Sequence, residues 1–320
     1  MGIWIGIDGG GSKTSFVAVN ERGAKIASYT TGSLDYHQDG VETCCRRLED
    51  GIARLTQASE GEHVLGIGIG MPAYGEGGAE DDAAADRFCA VYPNDQTVIV
   101  NDAQTAWAGS LAMSPGVNVV AGTGAIAFGR DATGACARAG GWSELFSDEG
   151  SGYWLGRMAL GLFAKQSDGR VPKSALYALV REHFGILRDE EICSAARDRV
   201  FVSRHNVAAL QRILAEAAMH GDDSAAQLYK LAGAELASSV LAVIRALKFT
   251  GTVNVSYSGG VFGVGELMLR PFEAALGAGI ALHRALLPPD IGAALTAVER
   301  IQPGALRELI DRLLSESIEK

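Results

Sequence analysis

The sequence has 320 residues, 48% of them hydrophobic, and 38 acidic against 28 basic residues give it a net charge of -10. That length exceeds the usual size of one domain and predicts two. No apolar run could span a membrane, and no cluster of Lys and Arg would bind the phosphates of a nucleic acid. Five cysteines without CxxC spacing predict no disulfide framework and no metal site. We therefore expect a soluble, cytoplasmic protein that binds neither membrane nor nucleic acid.

The N-terminal part of the sequence predicts a β-hairpin that continues into a third strand. Apolar residues alternate as in strands in three consecutive segments, 3–7, 15–19 and 24–29. Helical spacing of apolar residues then predicts a helix over 41–55. Short apolar segments at 64–70 and 97–100 predict buried parallel strands. Antiparallel strands thus open an α/β domain.

The same order of elements begins again at residue 117. Strand patterns recur at 117–120, 125–129 and 135–139. We interpret this as an internal duplication with a boundary near Ser114-Pro115-Gly116. The sequence predicts an N-terminal domain over 1–116 and a C-terminal domain over 117–320. The last amphipathic helix, 305–318, could pack back on the N-terminal domain.

The first glycine loop has the composition of a phosphate site, but it lies between two strands. Its sequence is Asp8-Gly9-Gly10-Gly11-Ser12-Lys13-Thr14. That position excludes the strand-to-helix P-loop and the Rossmann fingerprint. We expect the glycines to adopt positive φ and to bring backbone N–H groups close to an anion, with the hydroxyls of Ser12 and Thr14 as further donors. Asp8 would hold Mg²⁺ through water, whereas the alternative is a hairpin turn without a ligand.

Two further glycine turns favour the interpretation that the first loop binds phosphate over the alternative of a hairpin turn without a ligand. Gly122-Thr123-Gly124 lies at the equivalent point of the repeat, where it could hold the same phosphates from the opposite side. Ser258-Gly259-Gly260 closes a later strand and opens a helix, so its backbone can approach the adenosine and ribose of ATP. The three loops together predict ATP binding.

Asp102 is the candidate catalytic base. It follows the strand at 97–100 and precedes a helix predicted over 103–113, and strand ends in α/β folds present catalytic groups. A kinase that acts on an alcohol needs a carboxylate to accept the hydroxyl proton. Asp is also a favoured helix N-cap, so capping by Asp102 is an equally open alternative.

A polar, glycine-rich stretch over 140–152 suits a sugar site. Asp148 and Glu149 could accept hydrogen bonds from sugar hydroxyls, and Trp142 could pack on a ring face. The alternatives are that the two carboxylates favour the N-terminus of the next helix and that Trp142 belongs to the core.

Five motifs make the sequence resemble a known family. In chain order they are IGIDGGGSKT, VNDA, VAGTG, GGWSELFSDEGSGYWLG and SYSGG. They resemble the N-acetylglucosamine kinase group of the BadF-type ATPases, within the actin, hexokinase and Hsp70 superfamily. The resemblance implies an α/β fold of two ribonuclease H-like (actin-like ATPase) domains that face a central nucleotide and sugar cleft.

The resemblance also implies roles for individual residues. It makes Asp102 the base at the sugar 6-hydroxyl and Asp8 the organiser of magnesium. Contacts to ATP are implied for Gly10, Gly11, Ser12, Lys13, Thr14, Gly122, Thr123, Gly124, Ser258, Gly259 and Gly260. Contacts to the sugar are implied for Asp35, Asp102, Gly141, Trp142, Ser143 and Asp148.

Four positions depart from the family pattern. Asp35 lies in a loop where relatives commonly have Asn, Ser143 and Ser147 stand where glycines are usual, and Ala125 stands where Ser is frequent. None of these departures removes a catalytic group. Each is expected to shift which sugar fits.

The predicted function is an ATP- and Mg²⁺-dependent kinase that phosphorylates the 6-hydroxyl of an amino sugar, N-acetylglucosamine or glucosamine, in a homodimer. One alternative is an ATPase activator of a radical dehydratase or reductase, which needs cysteines beside its nucleotide loops. Cys136 lies near the second hairpin, but Cys193 is remote from it in sequence. A second alternative is a non-catalytic, actin-like regulator.

Overall fold

The computed structural model describes residues 2–60, 62–92 and 96–318. The chain divides into two units, of which the first joins Met1–Pro115 to Arg284–Lys320 and the second is Gly116–His283. The division near residue 115 lies at the predicted boundary. The first unit is discontinuous, however, whereas the sequence placed all of 117–320 in the second domain. Among the described residues, no helix is both long enough and apolar enough to cross a membrane.

The first unit contains a five-stranded mixed sheet. Its strands are β1 (Gly2–Gly9), β2 (Thr14–Asn20), β3 (Lys25–Thr31), β4 (His63–Met71) and β5 (Thr97–Asn101). They lie in the order β3-β2-β1-β4-β5, in which β1, β4 and β5 run parallel and β2 is antiparallel to both of its neighbours. The intervening helices are α1 (Tyr36–Asp39), α2 (Val41–Ala58), α3 (Ala79–Cys89) and α4 (Asp102–Ser110). Because β1, β4 and β5 are parallel, their C-terminal ends lie at one edge of the sheet.

The second unit repeats this arrangement. Its strands are β6 (Gly116–Ala121), β7 (Ala125–Arg130), β8 (Cys136–Gly140), β9 (Val253–Ser258) and β10 (Ile280–Arg284). They lie in the order β10-β9-β6-β7-β8. In chain order these strands take the same places as β1 to β5 of the first sheet, so the predicted internal duplication is confirmed in the topology. The unit also contains seven α-helices: α5 (Gly152–Ser167), α6 (Ala175–Phe184), α7 (Ile192–Ala195), α8 (Arg204–Ala209), α9 (Gln211–Met219), α10 (Asp223–Ala246) and α11 (Glu266–Leu276).

The C-terminal segment returns to the first unit as two helices, α12 (Pro289–Ile301) and α13 (Leu306–Ile318). The alternation in β1 explains why both are needed. Ile3, Ile5 and Ile7 share a core with α2 on one face of the sheet, while Trp4 lies in a separate core with α12 and α13 on the other face. A sheet that is apolar on both faces requires helices on both faces. The sequence expectation allowed only the last helix to pack there and did not include α12.

Glycines allow α12 to lie directly on the strands. A Cβ at Gly6 of β1 would lie 1.9 Å from the carbonyl oxygen of Asp290, and one at Gly68 of β4 would lie 1.8 Å from that of Ala293. Real Cβ atoms do not approach backbone oxygens so closely. The glycines in these strands therefore set how near the helix can come, independently of any ligand.

Gly68→Ala is expected to destabilise the first unit. The added methyl would force the backbone of α12 away from β4, and overpacking of this kind costs about 1–3 kcal/mol. Urea unfolding followed by circular dichroism measures the change in free energy. Gly161→Ala is the matched control, because Gly161 lies on α5 with open space around it, and alanine there should raise stability by up to about 1 kcal/mol. Equal unfolding free energies for Gly68→Ala and wild type would contradict the packing argument.

Candidate active site

The first glycine loop is the turn between β1 and β2. Gly11, Ser12 and Lys13 are exposed at its tip, and the N–H of Gly10 donates to the carbonyl of Lys13 at 2.9 Å. The carbonyl of Gly10 accepts from the hydroxyl of Ser33 at 2.9 Å. The turn is therefore braced at its base and open at its tip.

The glycines of this turn let other groups approach the backbone closely, and they do not adopt an unusual backbone conformation. None of Gly9, Gly10 and Gly11 has a positive φ, so that expectation was wrong. A Cβ at Gly9 would lie 2.7 Å from the carbonyl oxygen of Gly70, which makes Gly9 a packing residue between strands. At Gly11 a Cβ would meet nothing nearer than 4.0 Å, so the backbone there is accessible to a ligand.

Thr14 has a structural role that differs from the predicted one. Its side chain is fully buried, and its hydroxyl donates to the carbonyl of Gly32 at 2.7 Å. Because the Thr14 hydroxyl donates to Gly32, it does not face the tip of the loop. Within the motif, Ser12 and Lys13 are the side chains exposed to an anion.

The helix cap beside Asp102 is made by its neighbour. The side chain of Asn101 accepts from the N–H of Ala103 at 2.9 Å, and its amide nitrogen donates to the carbonyl of Tyr74, also at 2.9 Å. Asn101 is thus the N-cap of α4, and Asp102 is the first helical residue. The alternative that Asp102 caps the helix is wrong.

Thr105 connects Asp8 and Asp102, the two aspartates predicted for the site in the first unit. Its buried hydroxyl lies 2.8 Å from Oδ1 of Asp8 and 2.8 Å from the carbonyl oxygen of Asp102. The end of β1 and the first turn of α4 therefore meet at a single side chain. Thr105 could not be identified from the sequence, because a threonine inside a predicted helix carries no signal of a partner 97 residues away.

Burial shifts the titration of both aspartates. The pKa of Asp8 is raised to about 7, chiefly by burial, although the hydrogen bond from Thr105 opposes the rise. The pKa of Asp102 is raised to about 8 by burial and then by the nearby charges of Asp8 and Glu76. A carboxyl with a pKa near neutral is a better proton acceptor than an ordinary surface aspartate.

Asp290 is a third carboxylate near Asp8 that the sequence analysis missed. It lies in the first turn of α12, its Oδ1 accepts from the N–H of Ile291 at 2.9 Å, and its charge contributes to the raised pKa of Asp8. It was missed because α12 was not predicted to reach this unit.

The surroundings of Asp8 fit a magnesium ion. Mg²⁺ takes oxygen ligands and is usually held by one or two carboxylates together with substrate phosphates and water. Over the described ranges, no three His, Cys, Asp or Glu side chains form a metal site. Asp8 would supply one such carboxylate, and the negative charges of Asp102 and Asp290 near it are those that a divalent cation offsets.

The second glycine loop is the turn between β6 and β7. The N–H of Gly122 donates to the carbonyl of Gly124 at 2.9 Å. The first amides of α5 donate outward to the same turn, from Gly152 to the carbonyl of Gly122 at 2.8 Å and from Tyr153 to that of Thr123 at 3.1 Å. Around Gly122 there is open space, as there is around Gly11.

The third glycine turn lies beside the second. Val120 of β6 pairs with Ser258 of β9, and a Cβ at Gly259 would lie 2.3 Å from the carbonyl oxygen of Ala121. Gly259 also has a φ of 100°, so a side chain there would be both strained and blocked. Gly260 is exposed next to it. The structure thus brings the two predicted nucleotide turns of this unit together.

Asp148 is buried against the second glycine turn. Only 4% of the residue is exposed, and a Cβ at Gly124 would lie 2.6 Å from its Oδ2. It adopts a left-handed φ of 60°, which Asp and Asn tolerate better than other side chains do. Its pKa is raised to about 6, chiefly by burial, while the guanidinium of Arg204 opposes the rise. The alternative in which it only favours the N-terminus of α5 does not account for this burial.

The rest of the predicted sugar segment is a turn with exposed apolar side chains. Trp142 is 68% exposed and lies under the guanidinium of Arg138, so the alternative that it is a core residue is wrong. The hydroxyl of Ser143 accepts from the N–H of Leu145 at 3.2 Å. Gly141 has a φ of 68°. Aromatic surface is therefore accessible in the segment that leads to Asp148.

Asp35 is a helix cap in this structure. Its Oδ1 accepts from the N–H of His37 at 3.1 Å, and its Oδ2 accepts from the side-chain amide of Gln38 at 2.5 Å. Both carboxylate oxygens therefore have partners within α1.

Two mixed sheets of the same topology, each with flanking helices and glycine turns, define a two-domain α/β fold. The family model of the BadF/BadG/BcrA/BcrD ATPase family matches residues 5–297, and the chain belongs to that family.

The chain is also similar to two curated kinases. An N-acetylmuramic acid/N-acetylglucosamine kinase of Clostridium acetobutylicum is 30% identical over 263 residues, which cover 80% of this chain and 84% of the relative. An N-acetyl-D-glucosamine kinase of Dictyostelium discoideum is 30% identical over 231 residues, covering 69% and 72%.

Solved structures confirm the predicted fold class. A Chromobacterium violaceum protein provisionally described as an N-acetylglucosamine kinase superposes with a TM-score of 0.75 at 24% identity, covering 93% of this chain and 99% of its own. A ROK family glucokinase from Streptomyces griseus, in complex with glucose and AMPPNP, superposes with a TM-score of 0.58 at 18% identity, covering 92% and 97%.

Proposed function

We propose that this protein is an ATP-dependent kinase that phosphorylates the 6-hydroxyl of an amino sugar, N-acetylglucosamine or glucosamine. The observation that carries the proposal is the position of Asp102, directly after a parallel strand. Asn101 is the N-cap of α4, so the carboxylate of Asp102 does not have that role. Both curated relatives named above are amino-sugar kinases, which favours the same acceptor class.

Asp102 is the base in this proposal. It accepts the proton of the sugar hydroxyl as the bond from that oxygen to the γ-phosphorus forms, while the bond between the γ-phosphorus and the oxygen that bridges to the β-phosphorus breaks. The products are a sugar phosphate and ADP, and the proton remains on Asp102. Burial raises the pKa of Asp102 to about 8, so its ionised form is a stronger proton acceptor than an ordinary carboxylate.

The glycine turns bind the nucleotide in the proposed mechanism. The accessible backbone of Gly11, with Ser12 and Lys13, offers donors and a positive charge to phosphate oxygens, and Gly10 supports this tip through its own hydrogen bonds to Lys13 and Ser33. The second unit offers a further set of residues, Gly122, Thr123, Gly124, Ser258, Gly259 and Gly260. Asp8 would organise Mg²⁺, which supplies charge neutralisation on the phosphates when bound. Thr14 supports the hairpin and is left out of the proposed contacts.

The sugar contacts are proposed for the segment around Asp148. A buried carboxylate with an oxygen that lacks a protein partner accepts hydrogen bonds from hydroxyl groups. Trp142 offers a ring face, and Gly141 and Ser143 offer backbone groups nearby. Asp35, whose two oxygens accept hydrogen bonds from the N–H of His37 and the side chain of Gln38, is also proposed as a sugar contact. A homodimer in the cytoplasm is also part of the proposal.

One assay tests the proposed reaction and its acceptor. ADP release is measured with MgATP and glucosamine, N-acetylglucosamine, N-acetylmuramic acid, glucose or no sugar. We expect ADP release to depend on the sugar and to be fastest with N-acetylglucosamine or glucosamine. Release that no sugar stimulates would contradict the kinase assignment and favour the activator or the regulator.

A further inference from the structure

Asp148 has two carboxylate oxygens in different situations. Oδ2 lies 3.6 Å from a terminal guanidinium nitrogen of Arg204. Oδ1 is buried and has no hydrogen-bond partner among the described residues. A buried oxygen without a partner is costly, and native proteins usually satisfy such groups. One oxygen is thus held by the protein, and the other is available to a ligand.

Arg204 is placed to hold that first oxygen. It begins α8, directly after Ser203, whose hydroxyl accepts from the N–H of Asn206 at 3.1 Å and caps the helix. The Nε of Arg204 also lies 3.3 Å from Glu144, in the turn that precedes Asp148. The guanidinium therefore bridges two carboxylates of the same segment. Both contacts are ion pairs and not hydrogen bonds, because Nε has no hydrogen-bond partner among the described residues and the terminal nitrogen lies 3.6 Å from Oδ2.

We infer that Arg204 is a positioning residue for the acceptor sugar: it holds Oδ2 of Asp148 and leaves Oδ1 free to accept a hydrogen bond from a sugar hydroxyl. This inference rests on the proposed kinase function. It assigns α8 to the sugar site, although α8 lies outside the glycine-rich segment that suggested a sugar. Arg204 itself need not touch the sugar.

The charges around Asp148 make Arg204 the decisive partner. The charged groups that act on it are Arg204, Glu144 and Glu149, of which Arg204 is the positive one, and a backbone hydrogen bond from Ala125 also lowers its pKa to a smaller extent. The two glutamates raise the pKa of Asp148, whereas Arg204 lowers it. Loss of Arg204 is therefore expected to leave Asp148 more protonated near neutral pH and less firmly oriented.

Arg204→Met is the first test, because methionine keeps an apolar stem and removes the charge. The sugar is the acceptor that the wild-type assay identifies. We expect its KM to rise about 10- to 100-fold, which corresponds to the loss of the hydrogen bond between a sugar hydroxyl and the charged Asp148. The ATP KM should stay within about twofold of wild type. The pH profile gives a second readout. The sugar KM of wild type should rise only below about pH 6, whereas that of the variant should rise already at higher pH, because the pKa of Asp148 is then higher.

Controls separate this inference from the proposed function and from folding. Arg197→Met removes an arginine from an exposed ion pair with Asp198 and should leave both KM values unchanged. Arg204→Lys keeps the charge and should give an intermediate sugar KM, which keeps the test available if Arg204→Met does not fold. In an Asp148→Asn background, Arg204→Met should add little further increase, since the two residues act as a unit.

Two outcomes would overturn the inference. If wild type phosphorylates a sugar and Arg204→Met keeps the wild-type sugar KM and pH profile, the kinase assignment stands and the role of Arg204 is refuted. If the effects of Arg204→Met and Asp148→Asn are fully additive, Arg204 does not act through Asp148. Absence of sugar phosphorylation by wild type would instead refute the proposed function on which the inference rests.

Discussion

Replacing Asp102 with Asn is expected to lower sugar-dependent turnover by about 10²- to 10⁴-fold, the usual contribution of a general base. Asparagine has the same shape but accepts no proton at neutral pH. ATP binding should be retained, because α4 is capped by Asn101 and the hairpin of the glycine loop is braced by Ser33. The measurements are ADP release with and without sugar and the Kd of ATP from calorimetry.

Asp50→Asn is the matched control for this variant. Asp50 is an exposed carboxylate on α2, so its replacement should change neither turnover nor ATP binding. Turnover of Asp102→Asn close to wild type would remove Asp102 from the role of base. A parallel loss of ATP binding would indicate instead that the side chain is needed for the structure of the unit.

The strand framework could be predicted from the sequence because its signals are local. Alternating Ile3, Ile5 and Ile7 identify β1, and the repeat that begins at residue 117 identifies the second sheet, whose topology matches the first. The positions of the glycine turns follow from the same alternation. Local patterns thus sufficed for the fold class and for the turns that are proposed to bind ATP.

The course of the C-terminal segment could not be predicted in this way. Residues 291–298 in α12 are all buried, so its sequence has no exposed face to show which partner it packs on. Its contact with β1 and β4 depends on Gly6 and Gly68, which the strand pattern alone does not distinguish from turn or bulge glycines. The discontinuous first unit follows from these long-range contacts.

The sequence also identified some of the functional residues and not others. The sequence could not decide whether Asp102 or its neighbour caps α4, since a shift of one residue separates the two alternatives and Asn caps as well as Asp does. Thr105 and Arg204 became visible only through partners distant in sequence, at Asp8 and Asp148. The sequence could predict which glycines and acidic residues belong to the site. The side chains that orient those acidic residues could be identified only from the structure.

Asp148→Asn is expected to raise the sugar KM by about 10- to 100-fold while the ATP KM stays within about twofold of wild type. Asparagine tolerates the left-handed φ of 60° at this position, so the variant removes the charge without the backbone strain that alanine would add. The loss corresponds to one hydrogen bond between a sugar hydroxyl and a charged acceptor. Initial rates over a grid of sugar and ATP concentrations measure both constants.

The neighbouring Glu149 provides the control for Asp148→Asn. Glu149 is exposed, so Glu149→Gln removes a charge from the same segment without removing a buried acceptor, and its sugar KM should stay near wild type. A sugar-selective effect at Asp148 alone would support a direct contact through the oxygen that lacks a protein partner. If Asp148→Asn raised the sugar and ATP KM values equally, the residue would belong to the nucleotide turn beside Gly124 and not to the sugar site.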